Sequence, residues 1–277
     1  MTPAEALALM RALAVHPDVI VVVSGVWQTS CTAVRSGDEG FVIDSPVLPD
    51  ELDALPTLFE QAQFPVSGLL ATHGDWDHLL GKLAFPDRSL GVGAATAERL
   101  QASMGEPQRR LREFDAEWYI DGRRPLGLAD FQALPVPGRL SIGSEGGSRG
   151  GGEIEVFPAD GHTVDGVAYW APWAEVLICG DYLSPVEIPM ISVESGGSLA
   201  AYRETLMRFA PLVERAATVV AGHGGPVTRD RALAILAEDV AYLDALAAVG
   251  AEAALPEGRR SGAQKKVHAA NVAGLDA

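Results

Sequence analysis

The sequence predicts an α/β protein whose sheets are covered by helices. Short β-branched runs alternate with Ala-, Leu- and Glu-rich stretches along the whole chain, and the longest apolar runs are strand-sized. The 277 residues, 48% apolar and 21% charged, also suffice for a large buried core.

The first element follows from Thr2-Pro3-Ala4-Glu5, which has the form of a capping box with Pro at the first helical position. It predicts a helix over 3–15 rather than a secretion signal, because no basic start precedes it and Glu5 and Arg11 interrupt the apolar stretch. Strands are expected at 19–23, 33–35, 41–43 and 68–71, followed by a helix at 94–102. The polar stretch 101–125, with Arg109, Arg110, Trp118 and Tyr119, is either a lid or a helix that packs its two aromatics.

Residues 143–152, Gly-Ser-Glu-Gly-Gly-Ser-Arg-Gly-Gly-Gly, offer no apolar side chain and predict a flexible loop that divides the chain. Beyond it, strands are expected at 154–157, 167–170, 176–179 and 218–221, with helices at 199–209 and 229–248. The last helix has Thr228 as N-cap and one buried face formed by Leu233, Ile235, Leu236, Val240, Leu243 and Leu246. Each half places strands before a helix, which suits two similar halves in a single domain over 1–277, with its core at about 18–248 and a tail at 255–277. The tail carries Arg259, Arg260, Lys265, Lys266 and His268 and reads as a final helix docked on the domain.

The net charge of −16 opposes nucleic-acid binding, which needs concentrated Lys and Arg, so a small-molecule substrate is expected. No apolar run is long enough to span a bilayer, so no membrane partner is expected. Cys31 and Cys179 alone make no disulfide framework, and the cytoplasm is the expected compartment.

Chemistry concentrates in the histidines. Of six, four sit in short Gly-containing segments just after expected strands: Thr72-His73-Gly74-Asp75-Trp76-Asp77-His78, Asp160-Gly161-His162-Thr163 and Gly222-His223-Gly224-Gly225-Pro226. Gly180-Asp181 adds a carboxylate in the same kind of position. Imidazoles with carboxylates suit zinc, iron or manganese, and seven potential ligands are too many for one ion. Two ions about 3.5–4 Å apart would use them all.

These motifs, in this order, resemble the metallo-β-lactamase superfamily, whose signature is His-x-His-x-Asp-His followed by a lone His, a lone Asp and a final His. The resemblance covers about residues 18–248 and implies an αββα sandwich. It also implies that His73 and His162 bind one metal, that Asp77, His78 and His223 bind the other, and that Asp181 bridges them. Asp44 matches the family's early aspartate, which supports the site from behind the ligands; a turn or helix cap is the alternative.

The chain departs from the pattern at Asp75, where the family has His. An Asp oxygen lies as many bonds from the backbone as the near ring nitrogen of His, so Asp75 can reach the same metal. It leaves the ligand set one unit less positive, and shifts the expectation from zinc alone toward iron or manganese. The implied activity is hydrolysis, with metal-bound hydroxide attacking an ester, lactone, thioester or amide carbonyl and Asp77 also handling a proton. Trp27, Trp76, Trp118, Tyr119 and Tyr182 are candidate pocket walls, whereas Cys179 reads as a buried structural thiol. A di-iron oxidoreductase or oxygen sensor of the same fold is the alternative, because some relatives carry a carboxylate in place of the same His. A binding protein that has lost its chemistry at position 75 is the third reading.

Overall fold

Five successive valines and isoleucines at Val19–Val23 form a strand whose two faces are both covered, which is why the run does not alternate with polar residues. Val19, Val21 and Val23 point into an apolar layer between two sheets, and Val22 points into a layer under helices. The structure, a computed structural model, describes residues 10–143 and 151–276.

The first sheet is seven-stranded, in the order β1 (Arg11–His16), β2 (Val19–Val23), β3 (Ser30–Ser36), β4 (Glu39–Ile43), β5 (Gly68–Leu70), β6 (Leu90–Gly93) and β7 (Phe131–Leu134). The second is six-stranded and contains β8 (Gly138–Ile142), β9 (Gly152–Pro158), β10 (Val167–Ala171), β11 (Val176–Ile178), β12 (Thr218–Val220) and β13 (Pro226–Thr228), with β13 and β8 at its edges. Both sheets run through three antiparallel pairings and then a parallel one, β4 with β5 and β11 with β12. The parallel pairs matter for the site, because their carboxyl ends open on a common edge where loops can converge.

Helices α1 (Pro49–Gln61), α2 (Gly81–Ala84), α3 (Ala94–Ala102) and α4 (Glu106–Glu117) accompany the first sheet. Helices α5 (Leu199–Arg215), α6 (Arg229–Val249) and α7 (Gly262–Ala273) accompany the second. Three apolar layers, helix on sheet, sheet on sheet and sheet on helix, make the αββα sandwich. Thr228 caps α6 by accepting from Arg231 N, and Ile235, Leu243 and Leu246 are buried as the spacing predicts.

One expected element is overturned. The helix expected over 3–15 is a strand where it is described: Arg11–His16 pairs antiparallel with β2, from Arg11 opposite Val23 to His16 opposite Val19. Residues 3–9 lie outside the described residues. A neighbouring apolar strand, joined through Pro17-Asp18, supplies the hydrogen bonds that override the helix preference of Ala and Leu. The Gly-rich loop expected at 143–152 falls mostly outside the described residues, and its last residue already begins β9.

The polar stretch 101–125 contains α4, which buries Leu111 and Phe114. Phe114 stands 5.1 Å from the ring of Trp27, 5.0 Å from that of Trp76 and 5.5 Å from that of Trp118, so α4 lies over the segment that carries His78. Tyr119 is 90% exposed and packs on nothing. In the tail, Arg259 is buried and donates to Glu187 O (2.9 Å) and Asp239 Oδ1 (2.5 Å). From α7, Gln264 Oε1 accepts from Ile188 N (2.8 Å) and Asn271 Oδ1 from Ile191 N (2.9 Å). The tail thus pins residues 184–192, the loop that follows Asp181.

Candidate metal centre

Each candidate ligand follows the carboxyl end of a strand: His73 to His78 follow β5, His162 follows β9, Asp181 follows β11 and His223 follows β12. A rigid sheet edge therefore positions all seven. Trp76–His78 is a 3-10 turn that brings Asp77 and His78 to the same edge. Close approach of the last two loops requires a glycine at 222, because a methyl group there would collide with Asp181 Oδ1.

The arrangement has two lobes that share Asp181. In one, His162 Nε2 lies 3.6 Å from Asp75 Oδ2 and 3.3 Å from Asp181 Oδ2, and His73 Nε2 lies 3.7 Å from Asp75 Oδ2 and 3.8 Å from Asp181 Oδ2. In the other, His78 Nε2 lies 3.7 Å from Asp77 Oδ2 and 3.4 Å from Asp181 Oδ1, and His223 Nε2 lies 3.6 Å from Asp77 Oδ2 and 3.5 Å from Asp181 Oδ2. Ligand atoms held about 2.0–2.2 Å from a tetrahedral ion stand about 3.3–3.6 Å apart, whereas hydrogen bonds are shorter. Consistent with that, the buried atoms His73 Nε2, His78 Nε2, His162 Nε2 and Asp181 Oδ1 have no hydrogen-bond partner. Buried polar atoms without partners are costly, and a cation among them would satisfy all four. The residues fit two metal ions.

The far nitrogen faces the lobe in all four rings, and the near one of each meets a polar atom outside the lobe. His162 Nδ1 lies 2.8 Å from Met190 O and so donates to it, and His223 Nδ1 lies 3.3 Å from Trp27 O. His78 Nδ1 stands 3.0 Å from Asp44 Oδ2, an ion-pair contact too bent for an aligned hydrogen bond. The same Asp44 oxygen accepts from Thr72 Oγ1 (2.8 Å), which in turn lies 3.1 Å from His73 Nδ1. A carboxylate only accepts, so the Thr72 hydroxyl spends its proton on Asp44 and His73 Nδ1–H donates to Thr72. Asp44 therefore stands behind two of the four rings, through Thr72 for His73 and by direct charge contact for His78. Its other oxygen accepts from Thr72 N (2.8 Å), and its backbone is left-handed with φ 57°, a conformation that side chains other than Gly, Asn and Asp rarely take. Of the two readings of Asp44, the structure supports the one behind the ligands.

Electrostatics follow from packing opposite charges in a buried place. Burial opposes charge on His78 and His162, yet the carboxylates around them outweigh it and push the rings up to about 10 and about 9. Burial likewise pushes Asp75 and Asp181 up, and the imidazoles reverse it and hold both carboxyls well below the usual range. Glu187 belongs to the same field: burial raises its carboxyl, His223 draws it down, and Asp181 and Asp77 push it up again.

Four residues around the ligands carry no signal in the sequence. Arg99 of α3 donates to Asp75 Oδ1 (2.6 Å), to Asp165 Oδ1 (2.9 Å) and to Ser195 Oγ (3.0 Å). Asp165 accepts from Gly74 N (2.9 Å). Glu51, buried at the start of α1, accepts from Ser24 Oγ and Gly25 N (both 2.7 Å) and so anchors the loop that brings Trp27 to His223. Glu187 is the fourth.

Among the expected pocket walls, Trp27 is 46% exposed and stands 5.9 Å from the partly buried ring of Trp76, beside the lobe of His223. Tyr182 is not a wall. It is buried against Tyr202 and Phe209, accepts from His162 N and donates to Ala159 O. Cys179 is buried and donates to Tyr182 O, as expected of a structural thiol. His268 lies 3.0 Å from Tyr242 Oη.

The family model described as the metallo-beta-lactamase superfamily matches residues 24–223. No curated protein matches the chain. Solved structures with the same fold include the DIM-1 metallo-beta-lactamase, at 17% identity and a TM-score of 0.56 over 85% of this chain and 97% of that one. A double mutant of the sec-alkyl sulfatase PisA1 aligns at 14% identity and a TM-score of 0.65, over 86% of this chain and 42% of that one. TTHA1623 in a di-iron-bound form aligns at 21% identity and a TM-score of 0.57, over 76% and 95%.

Proposed function

The chain belongs to the metallo-beta-lactamase superfamily, and from that premise we propose that it is a binuclear metal-dependent hydrolase acting on an ester, lactone, thioester or amide bond of a small molecule. The observation that carries this reading is the pair of lobes sharing Asp181, with His73, His78, His162 and Asp181 each presenting a buried atom that nothing else satisfies. The superfamily is mostly hydrolytic, which favours hydrolysis over other uses of such a site.

In this proposal His73, Asp75 and His162 hold one ion, Asp77, His78 and His223 hold the other, and Asp181 lies between. The ions are zinc, with iron or manganese admitted by the carboxylate at 75. Two divalent ions so held supply Lewis acidity and make water a nucleophile near neutral pH. The chain's own residues do the rest. Asp77, whose side chain is 12% exposed beside the lobe of His223, takes up a proton on the oxygen not turned into the lobe as the attacking water loses it. Asp44 and Met190 O keep the rings oriented, and Trp27 with Trp76 offers an apolar wall to the substrate. The net charge of −16 supports a small molecule over nucleic acid, and two buried unpaired cysteines suit a reducing compartment such as the cytoplasm.

A second reading, a di-iron oxidoreductase or oxygen sensor, is favoured by the carboxylate at 75 and by the fold shared with a protein solved in a di-iron-bound form. Elemental analysis of protein purified with and without air, coupled to a panel of simple esters and lactones, separates the two. Zinc with an activity that His162→Ala abolishes supports hydrolysis. Iron with a reducible optical band and no hydrolysis supports the second reading, and protein that takes up none of zinc, iron and manganese refutes both.

A further inference from the structure

Asp75 is the ligand position where this chain departs from its family, and its surroundings differ from those of the other six ligands. The other two candidate carboxylates face only imidazoles in the ion pairs they form, whereas Asp75 is also gripped by a guanidinium. Arg99 Nη2 sits 2.6 Å from Asp75 Oδ1, while Asp75 Oδ2 is left to face His73 and His162 at 3.7 and 3.6 Å. One carboxylate oxygen is thus turned away from the metal lobe and the other is turned into it.

The guanidinium is itself held. Its Nη1 donates to Asp165 Oδ1, and the Ser195 hydroxyl accepts from Nη2, so the fork cannot swing away from Asp75. Asp165, whose side chain is fully buried, uses its second oxygen to accept from Gly74 N, the residue next to Asp75. Arg99 also stands in the last turn of α3, where a cation is favoured by the helix carbonyls. An imidazole at position 75 would be a neutral ligand with one available atom. An aspartate alone would bring a full negative charge and two available atoms. An aspartate with one oxygen bound to Arg99, which it shares with Asp165, has a single available atom and a partly compensated charge.

We propose that Arg99 is a positioning residue that makes Asp75 the functional equivalent of the family's histidine, by occupying one carboxylate oxygen and offsetting its charge, so that Asp75 and Arg99 act as one unit. Because Arg99 is shared between Asp75 and Asp165, it offsets part of the charge that the aspartate brings, so the first lobe is less negative than residue counting along the motif implies. The pairing also predicts that Arg99 matters only while an acid stands at 75. The inference rests on the metal-binding part of the reading above and is independent of the reaction.

The test is zinc binding to metal-stripped protein, read as stoichiometry by elemental analysis and as affinity by competition with a chromophoric chelator. Arg99→Met is expected to weaken one of two zinc ions by about 10- to 100-fold, the usual effect of removing a group that orients a ligand. Arg99→Lys restores part of the loss, since it returns the charge without the fork. Asp75→His combined with Arg99→Met is expected to bind two ions within a few-fold of Asp75→His alone. That rescue separates the two roles open to Arg99, because the double variant leaves Asp165 as unpaired as the single one does. Two ions held at wild-type affinity by Arg99→Met overturn the proposal, as does a double variant no better than Arg99→Met. If the histidine variants do not fold, the comparison of Arg99→Met with Arg99→Lys decides: equal losses overturn the proposal. Wild-type protein that binds none of zinc, iron and manganese overturns the metal centre itself, which is a different result from a wild type with two ions and an indifferent Arg99.

Discussion

Replacing Asp44 with asparagine changes one oxygen to an amide and leaves the shape of the side chain alone. Asparagine also tolerates the left-handed backbone at this position, so the substitution adds little strain. In one orientation the amide oxygen keeps the bond from Thr72 N, and the NH2 group then meets both Thr72 Oγ1 and His78 Nδ1, where the carboxylate accepted. A donor now faces His78 Nδ1, so that ring must carry its proton on Nε2, the atom aimed at the metal lobe. The Thr72 hydroxyl is reversed as well: it accepts from the amide and donates to His73 Nδ1, which moves the second ring's proton to Nε2 too. The flipped orientation instead sets a donor against Thr72 N. Loss of a ring-orienting group costs about 10- to 100-fold in metal affinity, or about 1.4–2.8 kcal/mol per ion. Here the two affected rings lie in different lobes, so both ions should weaken. Chelator competition with zinc measures each step, and a melting curve of the stripped protein checks that the fold persists. Asp44→Asn protein that holds two ions as tightly as the wild type would show that Asp44 does not set the tautomers of His73 and His78.

Two further outcomes follow from the same surroundings. In the stripped protein His78 and His162 titrate near 10 and 9 instead of the ordinary 6.5, because neighbouring carboxylates outweigh burial. A base whose pKa is raised by folding contributes stability that is fully present below about 6.5 and is lost as pH rises through 9 to 10. The melting temperature of stripped protein should therefore fall across that window while that of zinc-loaded protein stays level; calorimetry at several pH values reads both, and a flat stripped profile counts against the coupling. At the tail, Arg259→Met removes the partner of the buried Asp239 and two main-chain anchors, Ser184 O and Glu187 O, of the loop that carries Met190. Leaving that charge buried alone should cost about 3–5 kcal/mol in a urea titration, and Asp239→Asn in the same chain should return part of it.

The candidate ligands were legible in the sequence because each depends on local chemistry. His73, Asp75, Asp77 and His78 fall within one turn after one strand, His162 follows an alternating strand, and Asp181 and His223 each follow an apolar run that is buried on both faces. Apolar runs, Gly-containing strand ends and the order of His and Asp survive in one dimension. They also suffice for sheets covered on both faces, as β2, β10 and β11 are, whereas the αββα order of the layers was implied by the family resemblance those motifs carry. Where a strand depends on its neighbour, the sequence misleads: Arg11–His16 has the composition of a helix and becomes β1 because β2 offers it hydrogen bonds.

The tertiary structure alone decided how charge is shared. Asp75 and Arg99 are 24 residues apart, Arg99 and Asp165 are 66 apart, and no pattern joins them, because a guanidinium reaches its carboxylates across whichever helix the fold lays down beside them. It also decided that Asp181 is common to both lobes and that Asp44 holds two rings at once, since both are matters of convergence at a sheet edge. Residue types determined which metals and reactions were open to this chain. Their placement determined that the aspartate in the histidine position does not stand alone.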